Sequence, residues 1–105
     1  MLTVRFRQEG EHLALSMDGH ATGSAAACAG ASALACALAG WLDRYGAEAT
    51  CVLEPGRARI RCRDTERARS AFALVAVGLT MLAEEHPGRI EIPGGTTGVF
   101  PAGMW

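Results

Sequence analysis

The chain has 105 residues, half of them apolar, and a formal charge of −1 at pH 7. This size and composition predict one globular domain with a buried core. A net charge so close to zero implies no general electrostatic attraction to nucleic acid, although the distribution of the charges matters more than their sum. We expect no direct nucleic-acid partner. All ten basic residues are arginines.

The cysteine pattern argues against a metal site. Cys28, Cys36, Cys51 and Cys62 form no CxxC pair and no cysteine–histidine cluster with zinc spacing. We therefore expect no metal and no other cofactor. The chain opens with a strand-like segment and not with a secretory signal, which predicts a cytoplasmic protein with free thiols.

The run from Ala21 to Leu42 contains no charge and is long enough to span a bilayer. Most of it is Ala, Gly, Ser and Thr, and no basic anchor precedes it. We interpret the run as a buried core helix and expect no membrane partner.

Apolar and polar residues alternate over residues 2–7 and again over 13–18, as in half-buried strands. With residues 8–11 as the turn, the expected antiparallel register places Arg7 opposite His12 and Phe6 opposite Leu13. Both apolar sets then lie on one face of the hairpin. Gly19 ends the second strand.

A first helix is predicted from about Ala25 to Arg44, with Ser24 as its N-cap and Gly46 as its stop. A stripe at helical spacing is expected to face the core. Its members are Ala27, Ala31, Leu34, Leu38 and Trp41.

The second half of the chain repeats the hairpin-plus-helix pattern. A turn over residues 54–57 predicts a hairpin in which residues 51 and 53 face residues 60 and 58. This register makes Cys51 and Cys62 small core residues, and Cys36 is assigned the same role on the first helix. Asp64 or Thr65 is expected to cap a second helix that ends near Glu85.

A short strand over residues 89–92 completes the order ββαββαβ. This order indicates an α+β two-layer sandwich with a mainly antiparallel sheet. We assign residues 1–92 to one domain and 93–105 to a C-terminal tail. The uncharged segment 71–83 of the second helix has one side for the sheet and another for a neighbouring helix or a second subunit.

One histidine and one cysteine make a candidate reactive pair. His20 follows a strand that leads directly into the first helix, and Cys28 lies in the first turns of that helix. A helix start and a nearby imidazole both favour a thiolate. Ser32 lies one helical turn beyond Cys28 on the same face, and Asp18 is a weaker candidate for orienting the imidazole.

The motifs Gly19-His20-Ala21 and Cys28-Ala29-Gly30-Ala31-Ser32-Ala33 resemble the bacterial ribosomal-processing cysteine protease family, Prp. The resemblance covers about residues 2–92. It implies a homodimeric cysteine peptidase with Cys28 as nucleophile and His20 as base. Ser32, Gly19 and Gly23 are then expected to bind or orient the substrate.

The family resemblance also implies a substrate. Members remove the N-terminal extension of large-subunit ribosomal protein twenty-seven, next to paired Phe residues. This sequence has a shorter loop between His20 and Cys28 than the family, and residues 25–27 replace the Asp-Ile-Val that precedes the family's cysteine. A non-catalytic interaction module and a paralogous protease acting on a phage or other cellular protein are the alternatives.

The strand around residue 60 carries a row of arginines on its polar side. These are Arg57, Arg59, Arg61 and Arg63. No aromatic residue interleaves with them, which disfavours recognition of nucleotide bases. We interpret the row as a solvated outer face balanced by acidic residues. The alternative is one basic sheet face, formed with Arg5 and Arg7, that attracts ribosome-bound or acidic partners.

Overall fold

The computed structural model describes residues 1–94, whose elements follow the predicted order ββαββαβ. The strands are β1 (Leu2–Glu9), β2 (His12–Gly19), β3 (Thr50–Glu54), β4 (Arg57–Arg63) and β5 (Ile90–Glu91), and the helices are α1 (Ala25–Tyr45) and α2 (Glu66–Glu85). The sheet order is β3-β4-β2-β1-β5, and β1 and β5 form its parallel pair. Both helices contribute to one core with the sheet, which confirms the α+β sandwich. The boundary at residue 92 stays a prediction, and residues 95–105 of the predicted tail lie outside the described residues.

The register of the first hairpin differs from the prediction by two residues. Phe6 lies opposite Leu15, and Glu9 lies opposite His12. The strands therefore extend further, and a two-residue loop joins them. Gly10 supplies the positive φ (61°) that a tight loop requires at its first position. Because the shift is two residues, the apolar side chains of both strands stay on the core face.

Helix α1 begins and ends as predicted. Ser24 is its N-cap, and the Ser24 side chain accepts a hydrogen bond from the amide of Ala27. Gly46 closes the last turn. The buried stripe differs from the prediction, because Leu34 and Trp41 are only half-buried. Its members are Ala27, Ala31, Ala35, Leu38 and Leu42.

By length and composition α1 is apolar enough to cross a membrane. In the fold, its small side chains bring it close to α2. A side-chain carbon on Gly30 would lie 2.9 Å from Leu82, and one on Gly78 would lie 2.9 Å from Leu34. Each leucine therefore packs onto the glycine of the other helix. Leu34 is half-buried because it lies against Gly78 of α2 and not against the sheet.

The second hairpin has the predicted register, with Cys51 opposite Ile60. Strand β3 is the edge of the sheet, and all of its residues are exposed. Cys51 is therefore not a core residue, because neither α1 nor α2 buries this edge. Cys36 is also exposed, and Cys62 is the cysteine that the prediction placed correctly in the core.

Helix α2 begins after Thr65, whose side chain accepts from the amide of Ala68. Its inner side is buried against the sheet and α1. Its outer side presents Leu74, Val77 and Met81, which are 72%, 43% and 55% exposed. The spacing of these three residues makes one apolar stripe along the outer surface of the helix.

Candidate active site

A cleft of about 340 Å³ lies between α1 and the turn that joins β3 to β4. Four of the five predicted site residues line it. These are Gly19, His20, Cys28 and Ser32. Most of the other lining side chains are apolar and include Leu2, Met17, Ala31, Ala35, Leu53 and Ala58. The cleft therefore places a thiol and an imidazole at the side of an apolar groove.

Cys28 is the fourth residue of α1 and is half-buried against the core. Its amide donates to the Ser24 carbonyl at 3.1 Å, and the Ser24 hydroxyl accepts a hydrogen bond from the amide of Ala27. The amides of Ala25 and Ala26 are the first two of the helix and form no hydrogen bond within residues 1–94. Both N–H groups lie at the positive end of the helix dipole, where a nearby negative charge is stabilised.

His20 follows the last residue of β2. Gly19 has a φ of 90°, and its amide donates to the carbonyl of Gly56 at 2.9 Å. This bond fixes the end of β2 against the β3–β4 turn. A side-chain carbon on Gly56 would lie 2.9 Å from Nε2 of His20, so the imidazole lies directly on this turn. Within the described part of the chain, no side chain hydrogen-bonds to the ring.

The segment between His20 and Ser24 is compact and held at two points. The amide of Thr22 donates to the His20 carbonyl at 2.8 Å, and the amide of Ser24 donates to the Ala21 carbonyl at 3.1 Å. Arg89 donates to the carbonyl of Thr22 at 2.6 Å. Ser24 and His86 form a hydrogen bond of 3.3 Å between Oγ and Nδ1. The residues that follow α2 therefore fix the loop that precedes Cys28.

Gly23 lies outside the cleft. Its φ of 86° places it in the left-handed region, and the guanidinium of Arg89 packs directly against it. In the structure, the absence of a side chain at Gly23 therefore lets Arg89 pack against the loop that precedes Cys28. Asp18, in turn, is 2.9 Å from Arg59 in an ion pair on the face of the sheet opposite the helices. It does not orient the imidazole of His20.

The thiols differ in environment. Burial raises the pKa of the Cys62 thiol to about 11, and the charge of Asp64 adds to the effect. The pKa of Cys51 is also raised, first by partial burial and then by the charge of Asp43. Both thiols therefore stay protonated at neutral pH.

Two contacts of the site have no signal in the local sequence. Pro55-Gly56 reads as a turn, but its position beside His20 results from the pairing of β2 with β4. Arg89 reads as the start of a strand, and its bond to Thr22 depends on where α2 ends. Both contacts join segments that are far apart in the chain.

The fold is that of a protease. Two solved structures of this fold are crystal structures of the essential ribosomal processing protease Prp from S. aureus, one in complex with a covalently linked product peptide and the other with a substrate peptide. Each is 25% identical to this chain and covers 88% of it and 97% of the matched chain, with TM-scores of 0.75 and 0.73. These likenesses confirm the predicted resemblance to the Prp family. No protein-family model and no curated protein matches the sequence.

Proposed function

We propose that the chain is a cysteine endopeptidase that uses Cys28 and His20. The observation that carries this proposal is the cleft that holds both side chains beside an apolar groove. The likeness to Prp structures that hold a product or a substrate peptide supports a peptide as the occupant of this groove.

The proposed chemistry is acyl transfer. His20 takes the proton of the Cys28 thiol, and the thiolate forms a bond to the carbonyl carbon of the scissile peptide. The carbon–nitrogen bond then breaks, and His20 returns the proton to the leaving amine. Water, deprotonated by His20, attacks the thioester and releases the acid and the thiol.

The oxyanion of each step requires hydrogen-bond donors. The free amides of Ala25 and Ala26 at the start of α1 are the donors that we assign to it, and we assign the Ser32 hydroxyl, one helical turn beyond Cys28, to a carbonyl of the bound substrate. Ser32 lies on the same line of the helix as Cys28 and is exposed in the cleft. Gly19 and Gly23 act on the substrate indirectly, through the positions of His20 and of the loop.

The proposed substrate is the N-terminal extension of a ribosomal protein, as the resemblance to Prp implies, with apolar side chains at the cut. Leu2, Met17 and Leu53 lie in the cleft and suit such side chains. We further propose that two copies of the chain associate through the outer stripe of α2, and that the protein acts in the cytoplasm.

Reactivity of the thiols tests the mechanism. Iodoacetamide at neutral pH should modify Cys28 faster than Cys36, Cys51 and Cys62, and His20→Ala should remove that preference. Cys36 is the most demanding comparison, because it is exposed and lines the same cleft. Peptide mass spectrometry after timed quenching measures each rate. Equal and slow modification of all four cysteines would contradict the protease and favour a non-catalytic interaction module.

Cleavage tests the substrate. The protein should cut a peptide that carries the ribosomal-protein extension with paired Phe, and Cys28→Ala should not. Cleavage of a different protein in place of this peptide would keep the chemistry and change the substrate, as expected of a paralogous protease.

A further inference from the structure

The sheet face opposite the helices carries an excess of positive charge. Six arginines project from it against five carboxylates, which leaves one positive charge on one face of a chain whose net charge is −1. The arginines are Arg5, Arg7, Arg57, Arg59, Arg61 and Arg63. The carboxylates are Glu9, Asp18, Glu54, Glu91 and Glu48, the last of which contacts His12 at 3.3 Å.

Ion pairs neutralise only half of these arginines. Arg57 lies 3.6 Å from Glu54, Arg59 lies 2.9 Å from Asp18, and Arg61 lies 4.0 Å from Glu9. Among residues 1–94, the side chains of Arg5, Arg7 and Arg63 form no ion pair. These three cations are available to an external anion.

Four of the arginines line a groove together with the carboxylates of Glu9 and Asp18. Arg5 and Ser16 are paired across β1 and β2, and Ser16 is paired with Arg59 on β4. In the next row Ala14 lies between Arg7 and Arg61. Ser16 and Ala14 therefore form a floor of small side chains. In each row, the arginine of β1 and the arginine of β4 stand about 9 to 10 Å apart, which is two strand spacings. The groove has a volume of about 450 Å³.

The composition of this face selects among anionic partners. Of the aliphatic residues larger than alanine that line the groove in the described part of the chain, Val52 is exposed, and Leu15 and Ile60 are buried in the core. A protein partner needs an apolar centre to its interface, which one exposed valine does not supply. Among residues 1–94, the groove is lined by no Phe, Tyr or Trp on which a base could stack. Phosphate groups require neither feature, and guanidinium groups bind them through paired hydrogen bonds.

We infer that this face binds the phosphate backbone of a nucleic-acid duplex without reading its sequence. The inference departs from two expectations drawn from the sequence, a merely solvated face and no direct nucleic-acid partner. Net charge carried the second expectation, whereas the local arrangement leaves half of the arginines without an acidic partner and places four of them in one groove with only two carboxylates. The inference is independent of the proposed peptidase activity.

Fluorescence anisotropy of a labelled RNA duplex, titrated with the full chain at several salt concentrations, tests the inference. Each phosphate contact contributes about 0.9 to the slope of log K against log salt. Arg5→Gln with Arg7→Gln should lower the slope by about two and weaken binding several-fold. Arg44→Gln with Arg67→Gln removes the same charge from the helical layer and should change neither value.

Thermal unfolding and the rate of Cys28 alkylation verify that each variant is folded. Binding without salt dependence, or equal losses in both double variants, would overturn the inference. So would tighter binding of a poly-glutamate peptide than of the duplex, because that result assigns the face to an acidic protein segment.

Discussion

The contact between Gly56 and His20 decides where the imidazole lies. Gly56 has a φ of 73°, and its missing side chain leaves room for Nε2. Gly56→Ala should displace the ring and lower kcat/KM by about 10- to 100-fold, since a shift of about 1 Å in a reacting group has effects of this size. Steady-state cleavage of the substrate peptide measures the loss.

Gly10→Ala is the matched control for this substitution. Gly10 also has a positive φ, of 61°, but a side-chain carbon added to it would meet no other residue of the described chain within 4 Å, its two neighbours aside. Both variants should lose about 1 to 2 kcal/mol of stability from backbone strain, and Gly10→Ala should keep its activity. Equal activity of the two variants would show that the turn does not position His20.

The residue scale also shows what local sequence can and cannot predict. Ser24 and Gly46 were predicted correctly because capping depends on the neighbouring few residues. The Arg59 ion pair of Asp18 and the exposure of Cys51 were not, because each depends on which strand or helix lies alongside. The motif around Cys28 and His20 correctly predicted residues that line one cleft. The position of the Pro55-Gly56 turn above that cleft could not be predicted locally, because it depends on how β4 pairs with β2.

At the scale of elements, the reciprocal leucine–glycine contacts set the distance between α1 and α2. Gly30→Val and Gly78→Val should each destabilise the fold by about 1 to 3 kcal/mol, because the added atoms have to displace Leu82 or Leu34. Gly40 lies on the exposed side of α1 with nothing within 4 Å, so Gly40→Val should not destabilise it. Urea unfolding compares the stability of the three variants. Equal midpoints would show that the close approach of α1 and α2 at these glycines does not contribute to stability.

Register shows the same limit for strands. The alternation of apolar residues fixed which face of β1 and β2 is buried, and this part was correct. It did not fix the pairing, because a shift of two residues leaves every side chain on its face. The loop decided the pairing, through the positive φ of Gly10.

For the whole molecule, the outer stripe of α2 bears on the oligomeric state. Leu74→Glu with Met81→Glu should convert the proposed dimer to a monomer, because each carboxylate would be buried without a partner in the interface. Light scattering after size-exclusion chromatography measures the mass. Val52→Glu places a charge on another exposed apolar residue and should leave the mass unchanged. A monomeric unmodified chain would contradict the dimer.

Asp64 joins distant parts of the molecule. Its carboxylate accepts from Arg69 at 2.6 Å and from Gln8 at 3.0 Å, and its amide donates to the carbonyl of Glu11. The hydrogen bonds from Arg69 lower the pKa of Asp64, although partial burial opposes them. The stabilisation is therefore complete above the ordinary pKa of an aspartate and is lost as pH falls through the lowered value.

Asp64→Asn should lower the stability at pH 7 by an amount on the order of 1 kcal/mol, and the difference from the unmodified chain should shrink in acid. Denaturant unfolding across the acidic range measures this convergence. Asp43→Asn, at an exposed position of α1 without an ion pair in the described residues, serves as the control. A difference that persists below the lowered pKa would show that the carboxylate stabilises by its shape and not by its charge.

The exposed edge strand β3 has a consequence for amide hydrogen exchange. Neither α1 nor α2 buries the residues of β3, so its local opening exposes little apolar surface and requires less free energy than global unfolding. The turn at its end supports His20, and opening of this hairpin therefore separates the imidazole from its support while the core stays folded. Amides of β3 should exchange before those of β1 and β2. As denaturant is added, the alkylation rate of Cys28 should fall at the concentration at which β3 loses its protection from exchange, and not at the higher concentration at which the core unfolds.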